Sequence, residues 1–187
     1  MSFLSRAFRR FLHNEDGAFL VDALLLLPAF VWAYTGLFVY WDAYRAINTV
    51  QKASYTISDL LSRNQDVAGI NDAYLAGMRT TLNTMIDADQ SSKIRVTSYK
   101  WSEPNNRYEV IFSRSPNNEM TALTNANLAA ITDRLPLMSD GDSAVLLEVE
   151  VSYTPPAAFG LDPTTLEQFI VTRPRFVAKL CHVSFAC

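Results

Sequence analysis

Hydrophobic positions follow three different rhythms along this chain. From Ala23 to Trp41 the run ALLLLPAFVWAYTGLFVYW carries no charge. At about 1.5 Å per residue it covers most of a hydrocarbon core of roughly 30 Å, and extension back through Ala18 covers the remainder. A helix buried in a soluble core can be equally apolar, but seldom over such a length. The pattern predicts one transmembrane helix over 18–41, with Tyr40 and Trp41 where an interfacial aromatic belt belongs. Pro28 removes one helix hydrogen bond and is expected to bend or loosen the helix locally.

The second rhythm begins where the first ends. Tyr44, Ile47, Val50, Ser54, Ile57 and Leu61 recur at steps of three and four, so the helix is expected to continue to about Arg63 before Asn64 and Gly69 interrupt it. A second helix is expected over Ile70–Asp87, with Ile70, Tyr74, Met78, Leu82 and Met85 on one face. The period then changes to two. Ile94, Val96 and Ser98 alternate with Arg95, Thr97 and Tyr99, and Glu103-Pro104-Asn105-Asn106 reads as a turn. Tyr108, Val110 and Phe112 follow, giving a β-hairpin over 93–114. A third helix is expected from about Glu119 to Leu135, stopped by Pro136. The cleanest strand follows, Val145 to Tyr153, ended by Pro155-Pro156, with a last strand over Phe169–Leu180. The fold class is therefore α+β: a long N-terminal transmembrane helix extending into a head (64–187) made of an antiparallel sheet with helices packed on one face.

Composition narrows the function. With 187 residues and a net charge of −3, the chain has room for an anchor and one domain of modest core, and no basic surface for nucleic acid. Arg6, Arg9 and Arg10 precede the apolar run, whereas Asp42 and a single Arg45 follow it. Positive residues stay cytoplasmic, so the N-terminus is expected inside and the head exported. The two cysteines, Cys181 and Cys187, lie within the last seven residues. In an exported domain that predicts a disulfide closing a small loop, against the alternative of two unrelated thiols. An ordinary secretory signal fits poorly, because the apolar run is long and no A-x-A site closes it. Asp22 also falls inside the segment, where a carboxylate costs about 2.5–3.5 kcal/mol on insertion scales; the alternative is that it lies shallow enough to snorkel to the interface.

The junction reads His13-Asn14-Glu15-Asp16-Gly17-Ala18-Phe19-Leu20-Val21-Asp22, then the apolar run with Gly36 further on. A short basic leader, a glycine, four mostly apolar residues, an acid and a long apolar helix resemble a type IV pilin-like signal. Over Phe11–Tyr44 the pattern resembles the TadE-like family of minor pilins or pseudopilins of bacterial tight adherence pili. The resemblance implies cleavage between Gly17 and Ala18 by a prepilin peptidase, a cytoplasmic leader over 1–17, and Asp22 as an assembly charge that meets the α-amine of a neighbouring subunit. It departs from the family in one respect: the usual acid is glutamate, and here it is the shorter Asp22. The partners it implies are other pilin or pseudopilin subunits, the peptidase, the inner-membrane pilus assembly platform and the lipid bilayer. The location it implies is the bacterial inner membrane, with the head in the periplasm.

Other chemistry finds little support. Cys181 and His182 are adjacent, so on a strand they point to opposite faces and His182 cannot activate its neighbour. His13 lies in the leader, so a metal site would rest on a single exported histidine. Glu148 and Glu150 share a strand face but read as its solvated side, and Asp140-Gly141-Asp142 as a polar turn rather than a calcium loop. No catalytic residue, metal ligand or cofactor is expected. The rival to the pilin-like reading is an uncleaved single-pass periplasmic adaptor or sensor; an anchored exported enzyme is a weaker one.

Overall fold

The computed structural model describes residues 16–86, 91–185 and 187. Residues 1–15 of the expected leader, with Arg6, Arg9, Arg10 and His13, and the expected end of the second helix at Asp87 lie outside the described residues. Helix α1 runs unbroken from Asp16 to Ser62, through Pro28. Its 47 residues extend about 70 Å at the usual rise. Between Ala23 and Trp41 it carries no charge on any side, with Leu25 68% and Phe30 69% exposed. Among the described residues it is the one helix long and apolar enough to cross a membrane.

The remainder is an α+β head. Helix α2 (Asp72–Met85) starts at Asn71, whose side-chain oxygen accepts the Tyr74 N–H at 2.8 Å; this satisfies one of the donors a helix start leaves free. Strands β1 (Ser92–Ser102), β2 (Arg107–Arg114), β3 (Ser143–Tyr153) and β4 (Thr164–Thr172) form an antiparallel sheet in the order β2-β1-β3-β4. The β1–β2 connection is the expected turn, closed by the Asn106 N–H on the Glu103 carbonyl at 3.0 Å.

Several sequence expectations are corrected by packing. The buried face of α1 runs through Gly36, Val39, Ala46, Val50, Ala53, Ile57 and Leu61, while Tyr44 and Ile47 face outward. In α2 the buried positions are Leu75, Met78 and Leu82; Ile70 is buried but precedes the helix, and Met85 is exposed. A β-bulge at Ile111 turns the return strand over, so that Tyr108 and Val110 face one layer and Phe112 the other. The expected helix over 119–135 is only α3 (Asn125–Ala130), started by a Thr124–Asn127 capping box and followed by a 3₁₀ turn at Thr132–Arg134. The last strand lies earlier than expected and stops before Pro174, which can donate nothing to a ladder.

Helices also cover both faces of the sheet rather than one. On the first face α1 and α2 enclose Ile94, Val96, Phe112, Val145, Leu147, Val149 and Val151. On the second, Leu128 of α3 and Leu135 pack over Tyr99, Tyr108 and Leu146. The central strand β3 is therefore buried on both sides over its first half. Glu148 is not simply solvated. It sits opposite Arg95 in the ladder and receives both Nε and Nη2 at 2.7 Å, while Arg95 Nη1 donates to the Thr121 carbonyl at 2.6 Å. That fork covers the second face where apolar residues give out.

Ile57, fully buried between α1 and the sheet, should be far more costly to truncate than a side chain in water. Ile57→Ala is expected to lower stability by about 2–5 kcal/mol, whereas Leu137→Ala, at a residue 96% exposed, should stay within about 0.5 kcal/mol. Denaturant titration of the detergent-solubilised chain, followed by circular dichroism, measures both.

Candidate functional site

The residues singled out in the sequence fall into two places, the start of α1 and the end of the chain. Gly17 and Ala18 lie in the first turns of α1, and Asp22 lies little more than a turn beyond them. A Cβ built on Gly17 meets nothing within 4 Å. No packing among the described residues therefore calls for a glycine there. Asp22 is exposed and, among the described residues, has no hydrogen-bond or ion-pair partner. The helix therefore displays a glycine and a carboxylate that its own fold does not use. The surface between Asp22 and Asp42 is apolar and rich in aromatics; Tyr34, Leu37, Phe38, Tyr40, Trp41 and Tyr44 line one shallow groove on it.

The head meets this helix at two places that sequence reading missed. At Asp42, Oδ2 accepts the Tyr153 hydroxyl at 2.9 Å, joining the first charged residue after the apolar run to the end of β3. Tyr153 is 5% exposed. Burial, aided by the hydrogen bond to Asp42 and by its charge, pushes the phenol up to about 12. Lower on the helix, the β3–β4 loop folds back so that the Phe159 ring lies 5.1 Å from the Trp32 ring. A Cβ on Gly36 would come within 2.5 Å of the Phe159 ring edge. The available signal was the loop itself: Thr154-Pro155-Pro156-Ala157-Ala158-Phe159-Gly160-Leu161 has no charge where a solvated turn should be polar.

The chain end forms a clasp. Cys181 and Cys187 are joined in a disulfide with Cα atoms 5.7 Å apart. The segment pairs with the start of α2, since Ile70 N–H donates to the Cys181 carbonyl at 2.9 Å and Val183 N–H to the Ile70 carbonyl at 3.0 Å. Gly69, at φ +96°, allows this approach; a Cβ there would lie 2.5 Å from the Cys181 carbonyl. His182 is buried. Its Nδ1 accepts the Ser184 N–H at 3.2 Å, and Nε2 lies 3.3 Å from Asp72 Oδ1, off the line of a hydrogen bond. The rings of Phe112 and Phe185 flank the imidazole, each with its centroid 5.5 Å away. Cys181 is thus spent in the disulfide and His182 is packed as core, and they form no nucleophilic pair.

Among the described residues no group of three or more His, Cys, Asp or Glu could hold a metal ion. Glu148 and Glu150 border a shallow depression with Glu167, Arg134 and Phe169. Arg134 stacks over the Phe169 ring at 4.0 Å, and Glu148 is engaged by Arg95. No protein-family model matches the chain, and neither does any curated protein or solved structure.

Two measurements follow from this geometry. A tyrosine whose phenol is raised in the folded state contributes stability fully below its ordinary value near 10, and that contribution disappears as pH rises toward about 12. Alkaline titration of stability between pH ~10 and ~12 should therefore fall less steeply in Tyr153→Phe than in the parent chain. Reduction of the Cys181–Cys187 bond should destabilise by about 2–3 kcal/mol in the chain-entropy model. Hydrogen exchange should locate the loosening at Ile70 and 181–187, not in β1 or β3.

Proposed function

We propose that the chain is a minor pilin-like (pseudopilin) subunit that takes part in the biogenesis of a tight adherence type IV pilus. It is inserted in the inner membrane with its N-terminus cytoplasmic and its head periplasmic, and is trimmed by a prepilin peptidase after Gly17. The observation that carries this reading is the pair of residues at the start of α1 for which the fold has no use. Among the described residues Gly17 meets no side chain and Asp22 has no partner, yet both stand at the spacing a pilin-like signal requires.

Each has a chemical purpose in that setting. A residue without a side chain lets a protease approach the backbone beside the scissile bond. Trimming leaves a new α-amine on Ala18, and the carboxylate of Asp22 suits such an amine on a neighbouring copy. In a poorly hydrated setting that attraction is much stronger than in water, and an unpaired acid there is correspondingly costly. Asp22 acts in docking, not catalysis. The continuation of α1 into the head supports the same reading, because one rigid element joins the membrane segment to the exported domain. Its partners are other pilin or pseudopilin subunits, the peptidase and the inner-membrane assembly platform.

An uncleaved single-pass adaptor would need the same apolar helix but not the junction. Intact-mass analysis of membrane-extracted protein from cells with an active prepilin peptidase should show a chain beginning at Ala18. Gly17→Leu should abolish trimming while leaving membrane insertion intact. An untrimmed parent chain would favour the adaptor and overturn the pilin-like reading.

A further inference from the structure

We infer that the β3–β4 loop, Thr154–Leu161, is a second membrane contact, in which Phe159 is seated against α1 and the loop lies in the lipid leaflet on the head's side. This rests on the membrane-anchor part of the reading above, and not on trimming.

The register of α1 sets the depth. Asp22 and Asp42 are twenty residues apart, about 30 Å along a helix, which matches a hydrocarbon core between two carboxylates. Asp42 then marks the boundary on the head's side. Gly36 lies six residues below it and Trp32 ten, about 9 and 15 Å into the core when the helix stands upright. Phe159 touches the helix at both levels. A shallower register, with the boundary at Trp32, would draw Asp22 to about the middle of the bilayer, ten residues from that boundary. A buried acid costs about 2.5–3.5 kcal/mol, so that register loses.

The composition of the loop agrees. Its eight residues hold no charge, and the next residue, Asp162, restores one. Pro156, Ala157 and Ala158 are exposed, and Phe159 is half-buried on Gly36. Irregular backbone is ordinarily excluded from lipid by its unpaired polar groups. Here two of the residues are prolines without an N–H, and the Phe159 N–H is held by the Ala157 carbonyl at 2.9 Å. The helix surface beside the loop is aromatic, with Trp32, Tyr40 and Trp41 all more than half exposed. Tyr40 and Trp41, next to Asp42, stand in the interfacial zone such rings favour. Lipid is the occupant that suits an uncharged loop at this level of an apolar helix.

The test is spin labelling of the full chain, with its native disulfide intact, in vesicles of phosphatidylethanolamine and phosphatidylglycerol. Separate labels are placed at Ala157→Cys, Leu37→Cys and Asn105→Cys. Relaxation by oxygen, which concentrates in lipid, is compared with relaxation by a water-soluble nickel chelate. The Ala157 and Leu37 labels should both favour oxygen, and the label in the β1–β2 turn at Asn105 should favour nickel. Adding Phe159→Asp should move the Ala157 label toward nickel. A nickel-accessible Ala157 label beside a lipid-exposed Leu37 label would overturn the loop proposal and leave the anchor standing. A nickel-accessible Leu37 label would overturn both. An Ala157 label unmoved by Phe159→Asp would overturn the role given to the ring.

Discussion

One helix must satisfy two surroundings, and the rest of the structure is arranged around how α1 does so. Between Ala23 and Trp41 it carries no charge on any side, whereas its second half keeps one face against the sheet. The face that turns inward is built from small residues: Gly36, Ala46, Ala53, Ser54, Ser58 and Ser62 alternate with Val39, Val50, Ile57 and Leu61. Small side chains let the helix lie close to the first face of the sheet, where Val145, Leu147, Val149 and Val151 share one buried cluster with it. The buried hydroxyls would be a burden in such a place. Ser54 donates to the Val50 carbonyl at 2.7 Å and Ser62 to the Asp59 carbonyl at 2.7 Å, so the helix itself absorbs these two donors, whereas the Ser58 hydroxyl has no partner among the described residues.

With α1 committed to the first face, the head is fastened to it at both ends. At one end Tyr153 holds Asp42. At the other, the Arg175 N–H donates to the Ser62 carbonyl at 2.8 Å, and Asp59 receives both Arg63 and Arg175 at 2.8 Å. Those ion pairs are exposed and each is worth at most about 1 kcal/mol; the backbone hydrogen bond and the buried stripe between the two ends do most of the holding. The disulfide clasp then keeps the chain end against Ile70, just before α2.

The elements legible in the sequence were those whose signal is local. A long uncharged run, the alternation over β1 and β3, the turn at 103–106 and the cysteine pair are each written in neighbouring residues. What escaped depended on distant contacts. Tyr44 and Ile47 have the right period for a buried stripe, but Phe159 and Tyr153 arrive from the opposite side and rotate the stripe onto Gly36 and Val39. The bulge at Ile111 leaves no mark in a run that alternates well enough without it. Residues 119–135 have helical composition, yet Ser113 accepts the Leu123 N–H at 2.9 Å and Asn125 the Val110 N–H at 2.8 Å, tying this segment to the hairpin as loop and cap. Helices on both faces follow from that tie. Of the candidate site, Gly17, Asp22 and the cysteines could be read directly, whereas Asp42–Tyr153 and Gly36–Phe159 join residues more than a hundred positions apart.

The glycines show why the start of α1 is weighted so heavily in the functional reading. Gly36 and Gly69 are accounted for by the fold, since a Cβ would strike Phe159 in one case and the Cys181 carbonyl in the other. Gly17 is not accounted for by any packing among the described residues. Asp22 presents the same kind of mismatch in charge. On the membrane reading, nine Leu, Phe and Val residues between Ala23 and Trp41 supply about 3–5 kcal/mol of insertion free energy. One acid at the bilayer centre would consume most of that. The chain avoids the loss by placing Asp22 and Asp42 one hydrocarbon thickness apart, so each reaches a boundary. Asp42 finds its partner in Tyr153 of the same chain. Asp22 reaches the opposite boundary with no partner among the described residues, about one turn from the amine that trimming at Gly17 would create on Ala18. On the reading proposed above, a carboxylate held there is placed to meet the α-amine of a neighbouring copy.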